Sequence, residues 1–348
     1  MKIGIDARLI DETGVGRYIR NLIGELAKQD KRNEYVVFLP SKHFAGFVLP
    51  NSRWSKVGAD VHWHTIAEQI RMPGIFRAAK LDLVHIPYHN PPILYGGRMV
   101  ITIHDLTILH FATGKATTLP FALYHLKRLG YWLELWVGLR RAKKIIAVSQ
   151  ATKQEIVDHF HIPPEKIAVT YEGVDPNLSV KTSKRLIDQP YLLYVGNAYP
   201  HKNLETLLKA FQRFTGKLIL VGNEDYFYQR LKQRVYEMKL TDSVIFFGPA
   251  NDQQLSNLYT HATAFVFPSL MEGFGLPALE ALSFACPVIC SDIPIFHEIL
   301  GDNATYFNPT DPDDLVKKLK RVMPKIKAQL GKKYSWATMA EETLRVYQ

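Results

Sequence analysis

The chain alternates short apolar runs with amphipathic stretches, and this alternation occurs twice. The first series begins at Lys2–Asp6, and the second restarts at Tyr191 after a polar, turn-rich segment at 173–190. No Asn-Gly or Asp-Gly hairpin turn interrupts either series, which favours parallel strands joined by helices. We therefore predict an α/β protein with two doubly wound halves that face each other across a cleft.

The apolar runs predict the strands of both halves. Predicted strands of the first half are Lys2–Asp6, Tyr35–Leu39, Leu83–Ile86, Val100–Ile103, Ile145–Val148 and Ile167–Val169; those of the second are Leu192–Val195, Leu218–Val221, Val244–Phe247, Ala264–Phe267 and Val288–Cys290. The segment 173–190 is the predicted linker, so the domains are expected at 1–175 and 190–348. A length of 348 residues also favours two domains over one core.

The stretch EGFGLPALE, residues 272–280, follows the predicted strand Ala264–Phe267. Pro277 suits the first turn of a helix, so a short glycine loop leads into a helix N-terminus. Gly273 and Gly275 carry no β-carbon to block a ligand, and the amides of Gly275 and Leu276 lie where the helix dipole favours a phosphate. This loop is a predicted anion-binding site built from backbone.

Two glutamates flank this loop. Glu280 lies near the end of the first helical turn, from which its carboxylate can point back and accept hydrogen bonds from a diol such as a ribose. Glu272 is placed for a different part of the same ligand. Taken alone, such glutamates are usually a helix N-terminal carboxylate and a solvated loop charge, but the Gly-Phe-Gly-Leu-Pro between them favours the binding role.

Nearly the whole chain resembles the retaining nucleotide-sugar glycosyltransferases of glycosyltransferase family 4, whose signature is two glutamates with seven residues between them. The resembling blocks are IGIDAR, TGVGRYIRNL, ITIHDL, IIAVSQATKQEI, YEGVD, LYVGNAYPHKNLETLLKAF and FPSLMEGFGLPALEAL. The resemblance implies a GT-B fold of two Rossmann-like domains. It also implies an acceptor domain at 1–175, a donor domain at 190–348, and a C-terminal helix at 336–348 that packs on the acceptor domain.

The resemblance also implies the site residues. Glu272, Lys202 and His104 are expected to be catalytic, with Lys202 neutralising the donor diphosphate and His104 next to the transferred sugar. The expected donor-binding residues are Gly14, Gly16, Arg17, Asn197, His201, Lys202, Gly273, Phe274, Gly275, Leu276 and Glu280. Asn197 and His201 depart from the family pattern, which commonly has arginine at these places, so Lys202 is expected to act with weaker help. Gly14 and Gly16 are expected to form a glycine turn before the first helix.

The implied mechanism needs no protein nucleophile, because the leaving diphosphate takes the acceptor proton on one face of the sugar. The predicted motif loops contain no Asp-x-Asp metal motif, and the sequence has no Ser-His-Asp arrangement with supporting spacing. We therefore expect neither a metal nor a cofactor. The donor expected from the blocks is GDP-mannose, with UDP-sugars left open, and the expected acceptor is a saccharide or a polyprenyl-linked saccharide.

A formal net charge of +10 is concentrated in residues 1–180, where 23 Lys and Arg face 16 Asp and Glu. Within them, the segment 121–144 mixes tryptophans and leucines with six basic residues. This composition suits an interfacial helix on anionic lipid and suits equally a long core helix with a basic, solvated end. Nucleic acid is ranked low as a partner because no binding motif is present.

The expected location is the cytoplasm, with the inner face of the membrane as a peripheral site. No apolar leader follows Met1, and the two cysteines, Cys286 and Cys290, are expected to be buried thiols. Three alternatives stay open: a nucleotide-sugar epimerase of the same architecture, a non-catalytic sugar-nucleotide or membrane-binding protein, and a basic nucleic-acid-binding protein. Turnover of the donor without an acceptor would identify the epimerase, and donor binding without transfer would identify the non-catalytic protein. Salt-dependent binding of duplex or single-stranded nucleic acid would identify the nucleic-acid-binding protein.

Overall fold

The computed structural model describes residues 1–111, 121–174, 184–321 and 333–348, with the side chains of 121–127 outside this description. The chain divides into two compact units. The first unit contains the described residues 1–109, 121–173 and 333–348, and the second contains 110–111, 174 and 184–321. Each unit is an α/β domain built on its own parallel sheet.

The first unit has a seven-stranded sheet in the order β3-β2-β1-β4-β5-β6-β7. Its strands are β1 (Lys2–Asp6), β2 (Glu34–Leu39), β3 (Trp54–Gly58), β4 (Leu83–Ile86), β5 (Met99–Ile103), β6 (Lys144–Ala147) and β7 (Ile167–Val169). The connecting helices are α1 (Gly14–Gln29), α2 (Ser41–Phe44), α3 (Ile66–Ala78), α4 (Thr107–His110), α5 (Phe121–Arg141) and α6 (Gln150–Phe160). All strand pairs are parallel. The central strands are covered on both faces and are therefore mostly apolar.

The second unit has a six-stranded parallel sheet in the order β10-β9-β8-β11-β12-β13. Its strands are β8 (Tyr191–Val195), β9 (Lys217–Val221), β10 (Val244–Gly248), β11 (Ala264–Phe267), β12 (Val288–Ser291) and β13 (Ala304–Phe307). The helices are α7 (Leu204–Phe211), α8 (Tyr226–Glu237), α9 (Asp252–His261), α10 (Leu276–Ser283), α11 (Pro294–Leu300) and α12 (Pro312–Leu319). The chain moves outward from β8 to one edge and then from β11 to the other, which is a doubly wound order.

The structure confirms the predicted fold class and each predicted strand, within a residue or so at the ends. Two strands were not predicted, β3 and β13, and each lies at the edge of its sheet. Edge strands are packed against other elements less completely than central strands. In β3 only Trp54 is buried, so the sequence has no apolar run from which this strand could be predicted. Of the predicted linker, 175–183 lie outside the described residues.

The C-terminal helix, α13 (Trp336–Tyr347), belongs to the first unit, where it packs along α1. The amide of Gln29 donates to the Ala337 carbonyl at 2.9 Å, and Lys143 Nζ donates to the Gln348 carbonyl at 3.0 Å. Its last turn carries Tyr347, which is fully buried against β4. The return of this helix to the N-terminal domain is therefore confirmed.

Tyr347 reaches a histidine in the middle of the sheet. His85 on β4 is fully buried, with Nδ1 at 2.7 Å from the Tyr347 hydroxyl and Nε2 at 2.7 Å from Thr102 Oγ1. Burial, with a smaller effect of His104, lowers the pKa of His85 to about 3. His85 is thus a neutral ring that joins two strands and the C-terminal helix by hydrogen bonds.

We expect this histidine to make stability fall as the pH decreases. Below its ordinary pKa of about 6.5 the unfolded chain binds a proton that the native protein does not, so the free energy of unfolding falls by about 1.4 kcal/mol per pH unit from this group. Urea unfolding between pH 7 and pH 5 should show a shallower decline for His85→Gln than for the wild type. His297→Gln, at an exposed histidine, is the control, and a wild-type slope in His85→Gln would contradict the assignment.

Candidate active site

The loop at 268–275 connects β11 to α10 in the second unit. Gly275 caps the helix in a left-handed conformation, with φ +90°, and Pro277 occupies its first turn as predicted. A β-carbon at Gly275 would lie 2.9 Å from the Phe296 ring. Glycine is therefore required at position 275 for two reasons, the left-handed backbone conformation and the close packing against Phe296. The amides of Gly275 and Leu276 consequently lie at a helix N-terminus, where the dipole favours an anion.

Lys202 and Glu272 form an ion pair at the same edge of this sheet. Lys202 Nζ lies 2.7 Å from Glu272 Oε1, and Ser269 Oγ donates to that same oxygen at 2.7 Å. The two side chains are only 14% and 10% exposed. They meet because β8 and β11 are parallel neighbours, so the loops that follow these strands lie side by side. Lys202 and Glu272 were predicted from the sequence, whereas Ser269 was not.

The two loops are also joined through backbone groups. The Leu270 amide donates to the His201 carbonyl at 2.7 Å. Asn203 Nδ2 donates to the carbonyls of Pro268 at 3.0 Å and Pro309 at 2.8 Å, while Asn203 itself is left-handed, with φ +54°. Asn203 is a further residue that the sequence analysis missed, although an asparagine just before a helix is a signal for such a turn.

The remaining predicted residues of the second unit differ in their burial and in their hydrogen-bond partners. Glu280 is 2% exposed and accepts a hydrogen bond from the Tyr259 hydroxyl at 3.1 Å. His201 is buried, and its ring lies 6.0 Å from that of Tyr199. Asn197 shapes the turn, because its Oδ1 accepts from the Tyr199 amide at 3.3 Å. Gly273 and Phe274 are buried in the loop.

Four predicted residues belong to the first unit. His104 follows β5 and is 8% exposed; its Nδ1 lies 2.9 Å from Glu172 Oε1, and its Nε2 lies 3.1 Å from the Pro87 carbonyl. Glu172 and the Pro87 carbonyl thus contact the two ring nitrogens and fix the orientation of the ring. Glu172, in the block YEGVD, is a partner that was not predicted from the sequence.

The predicted glycine turn at Gly14 and Gly16 was wrong, because these residues form the first turn of α1. A β-carbon at Gly16 would lie 2.4 Å from the Ile10 carbonyl oxygen, so the glycine allows the helix to pack against the preceding loop. No β-carbon contact arises at Gly14. Arg17 follows in the same turn and is half-buried.

The two parallel-sheet α/β units match the GT-B fold of solved glycosyltransferases. Residues 13–178 match Glycosyltransferase Family 4, and residues 180–332 match the glycosyl transferases group 1. Together these matches span most of the chain. The chain belongs to this family of glycosyltransferases.

Several proteins named as mannosyltransferases are similar to this chain. It is 29% identical to the O-antigen chain mannosyltransferase RfbU of Salmonella typhimurium, over 72% of this chain and 67% of the relative. It is also 29% identical to the O-antigen chain mannosyltransferase B of Escherichia coli, over 97% of this chain and 96% of the relative. The Anabaena protein HepE, solved with UDP-glucose, matches the fold with a TM-score of 0.75 at 17% identity, over 100% of this chain and 99% of HepE.

Gly275→Ala tests the geometry of the loop. The left-handed conformation costs an alanine roughly 1–2 kcal/mol, and contact with Phe296 adds to that cost. Gly248→Ala is the matched control, because Gly248 has φ +81° and no atom within 4 Å of an added β-carbon. We expect both variants to unfold at lower temperature and Gly275→Ala to unfold lowest. Equal losses would show that packing against Phe296 does not constrain the loop.

Proposed function

We propose that the protein is a retaining hexosyltransferase that moves mannose from GDP-mannose to a saccharide or lipid-linked saccharide, in polysaccharide or glycolipid synthesis. The observation that carries this proposal is the Lys202–Glu272 pair beside the N-terminus of α10. Similarity to O-antigen mannosyltransferases supports mannose as the sugar. The Anabaena neighbour solved with UDP-glucose makes a UDP-sugar the second candidate donor.

In this proposal Lys202 binds the donor diphosphate together with the amides of Gly275 and Leu276. Glu272 holds Lys202 in place in the unliganded protein and accepts hydrogen bonds from the transferred sugar when the donor is bound. Glu280 is the proposed acceptor for the ribose hydroxyls, and Asn197 and His201 shape the turn that carries Lys202. Positive groups fixed beside a leaving diphosphate stabilise the charge that develops on it, which is electrostatic catalysis.

The proposed mechanism uses neither a metal nor a cofactor. The leaving diphosphate takes the acceptor proton on the face from which it departs, so the configuration at the sugar carbon is retained. His104, oriented by Glu172, is proposed to lie next to the transferred sugar. We propose that Arg17 and the helix start at Gly14 and Gly16, in the first unit, also bind the donor phosphates.

Thermal unfolding with nucleotides tests the donor site. A ligand at about 100 times its dissociation constant adds roughly 2.7 kcal/mol, which raises the unfolding midpoint by several degrees. We expect GDP and GDP-mannose to stabilise the wild type, UDP and UDP-glucose to have no effect, and Lys202→Ala to respond less than the wild type. Lys209→Ala, at a half-exposed lysine on α7, is the control.

If only the UDP compounds stabilise the protein, the donor is a UDP-sugar and not GDP-mannose. The absence of any nucleotide effect would contradict the donor site itself. Once an acceptor is available, Lys202→Ala and Glu272→Ala should lose about 100-fold to 1,000-fold in turnover, as when a charge-stabilising donor is removed. Near-normal turnover of either folded variant would show that its residue has another role.

We also propose that α5 binds an anionic membrane surface, which would place the enzyme in the cytoplasm with reversible contact at the inner face of the membrane. Leu129, Trp132 and Leu133 are 62%, 38% and 48% exposed. They lie on one helical stripe with Trp136, over which the Arg140 guanidinium packs at 4.4 Å. Exposed apolar side chains beside basic ones favour interfacial binding over a buried core helix. Every helix within the described residues is too short or too polar to cross a bilayer.

Co-sedimentation with phosphatidylglycerol vesicles tests this surface. We expect binding at low salt that declines as salt is added, and that is lost when Arg140, Lys143 and Lys144 are replaced by glutamine. The control replaces three exposed basic residues of the second unit, Lys317, Lys320 and Arg321, by glutamine. Wild-type protein that stays in the supernatant at low salt, or equal binding by both variants, would contradict the proposal.

A further inference from the structure

Ser269 is a fully buried serine on the loop between β11 and α10. Its hydroxyl donates to Glu272 Oε1 at 2.7 Å, and Lys202 Nζ lies 2.7 Å from the same oxygen. An ionised carboxylate accepts hydrogen bonds through both of its oxygens. Among the described residues, the two partners of Glu272 both contact Oε1, and the side chain is still 10% exposed. The second oxygen, Oε2, is therefore the one left for a ligand.

The backbone on either side of Ser269 is fixed to the neighbouring turn. The Pro268 carbonyl, just before the serine, accepts from Asn203 Nδ2 at 3.0 Å. The Leu270 amide, just after it, donates to the His201 carbonyl at 2.7 Å. The two partners on the neighbouring turn are the residues that flank the site lysine. The serine hydroxyl thus starts from a backbone position that is fixed relative to this lysine.

The site lysine also lies near the N-terminus of α10. Lys202 Nζ is 5.7 Å from the centre of the buried Phe267 ring, and a β-carbon added at Gly275 would lie 3.7 Å from the same ring. The ammonium group and the first residues of α10 therefore lie beside one aromatic ring. An anion held by the helix amides would attract the same ammonium group that contacts Glu272.

We propose that Ser269 is a positioning residue, which keeps the Glu272 carboxylate oriented toward the transferred sugar while Lys202 binds the donor diphosphate. In the unliganded protein the serine and the lysine hold Oε1 together. When the diphosphate engages the lysine, the serine hydroxyl remains as the donor that fixes Oε1, and Oε2 accepts from the sugar hydroxyls. This inference rests on the proposed function, since it concerns recognition of the sugar within the same donor site.

This role differs from general support of the loop. The backbone contacts of Pro268 and Leu270 do not involve the serine hydroxyl, so they remain when that hydroxyl is removed. The amides of Gly275 and Leu276, proposed to bind the diphosphate, then also stay in place. Loss of the hydroxyl should therefore weaken binding of a sugar nucleotide and spare binding of the nucleotide alone.

Ser269→Ala tests this selectivity with two ligands that differ only in the sugar. Isothermal titration calorimetry of the full-length protein gives the dissociation constants of GDP and GDP-mannose, and of UDP and UDP-glucose if the wild type binds that pair instead. We expect an unchanged dissociation constant for the nucleotide alone. The dissociation constant of the sugar nucleotide should rise about tenfold, as when a hydrogen bond to a charged group is lost.

Two further variants serve as controls, and the unfolding midpoint shows that each variant is folded. Ser256→Ala removes another fully buried serine of the second unit, whose hydroxyl donates to the Asp252 carbonyl at 2.8 Å; both dissociation constants should stay at the wild-type values. Ser269→Thr retains the hydroxyl and should bind the sugar nucleotide like the wild type. A folded Ser269→Thr that binds like Ser269→Ala would show that side-chain volume matters and the hydroxyl does not.

A double-mutant cycle with Glu272→Ala shows whether the serine acts through the glutamate. Effects of residues that act together do not add. Ser269→Ala should therefore weaken sugar-nucleotide binding no further once Glu272 is alanine. Additive losses would show that the serine acts by another route and would overturn the proposal. Equal weakening of both ligands by Ser269→Ala would overturn it as well, because that is the effect of a disturbed loop.

The wild-type titrations distinguish failure of this inference from failure of the proposed function. If neither nucleotide pair binds the wild type, the donor site is wrong and the role of Ser269 is wrong with it. If one pair binds, and Ser269→Ala binds both members as tightly as the wild type, the donor site stands and Ser269 has no positioning role.

Discussion

Parallel strand pairing is the constraint on which the candidate active site depends. Every strand pair in the two sheets is parallel, so within each unit the carboxyl ends of the strands share one edge. Residues far apart in sequence meet there, as Lys202 and Glu272 do across β8 and β11. A hairpin fold would place successive loops at opposite edges and would separate these side chains.

The two units use buried polar groups in different ways. In the second unit, Lys202, Glu272 and Ser269 satisfy one another's hydrogen bonds across two neighbouring loops. In the first unit, Tyr347 and Thr102 hold the buried ring of His85. Buried polar groups thus hold two loops together in one unit, and hold the sheet and the C-terminal helix together in the other.

Much of the fold could be predicted from the sequence, because central strands of a parallel sheet are nearly continuous apolar runs. The edge strands β3 and β13 could not, since partial exposure removes that signal. The start of α1 was also misplaced. Glycines at Gly14 and Gly16 indicate a turn by local preference, whereas both residues lie in the first turn of α1. Glycine is needed at Gly16 because the Ile10 carbonyl leaves no room for a β-carbon.

By itself, the sequence determined the two-domain α/β class, the glycine loop before α10 and the identity of Lys202, Glu272 and His104 as candidates. The class and the loop follow from local patterns, namely apolar period, turn chemistry and helix-start signals, whereas the three candidate residues follow from the resemblance of their blocks to the family. Only the tertiary structure decided that Glu172 and Pro87 contact both nitrogens of His104, and that Ser269 shares a carboxylate oxygen of Glu272 with Lys202. The physical reason is that hydrogen bonding and burial between residues distant in sequence depend on how helices and strands pack, which no local pattern encodes.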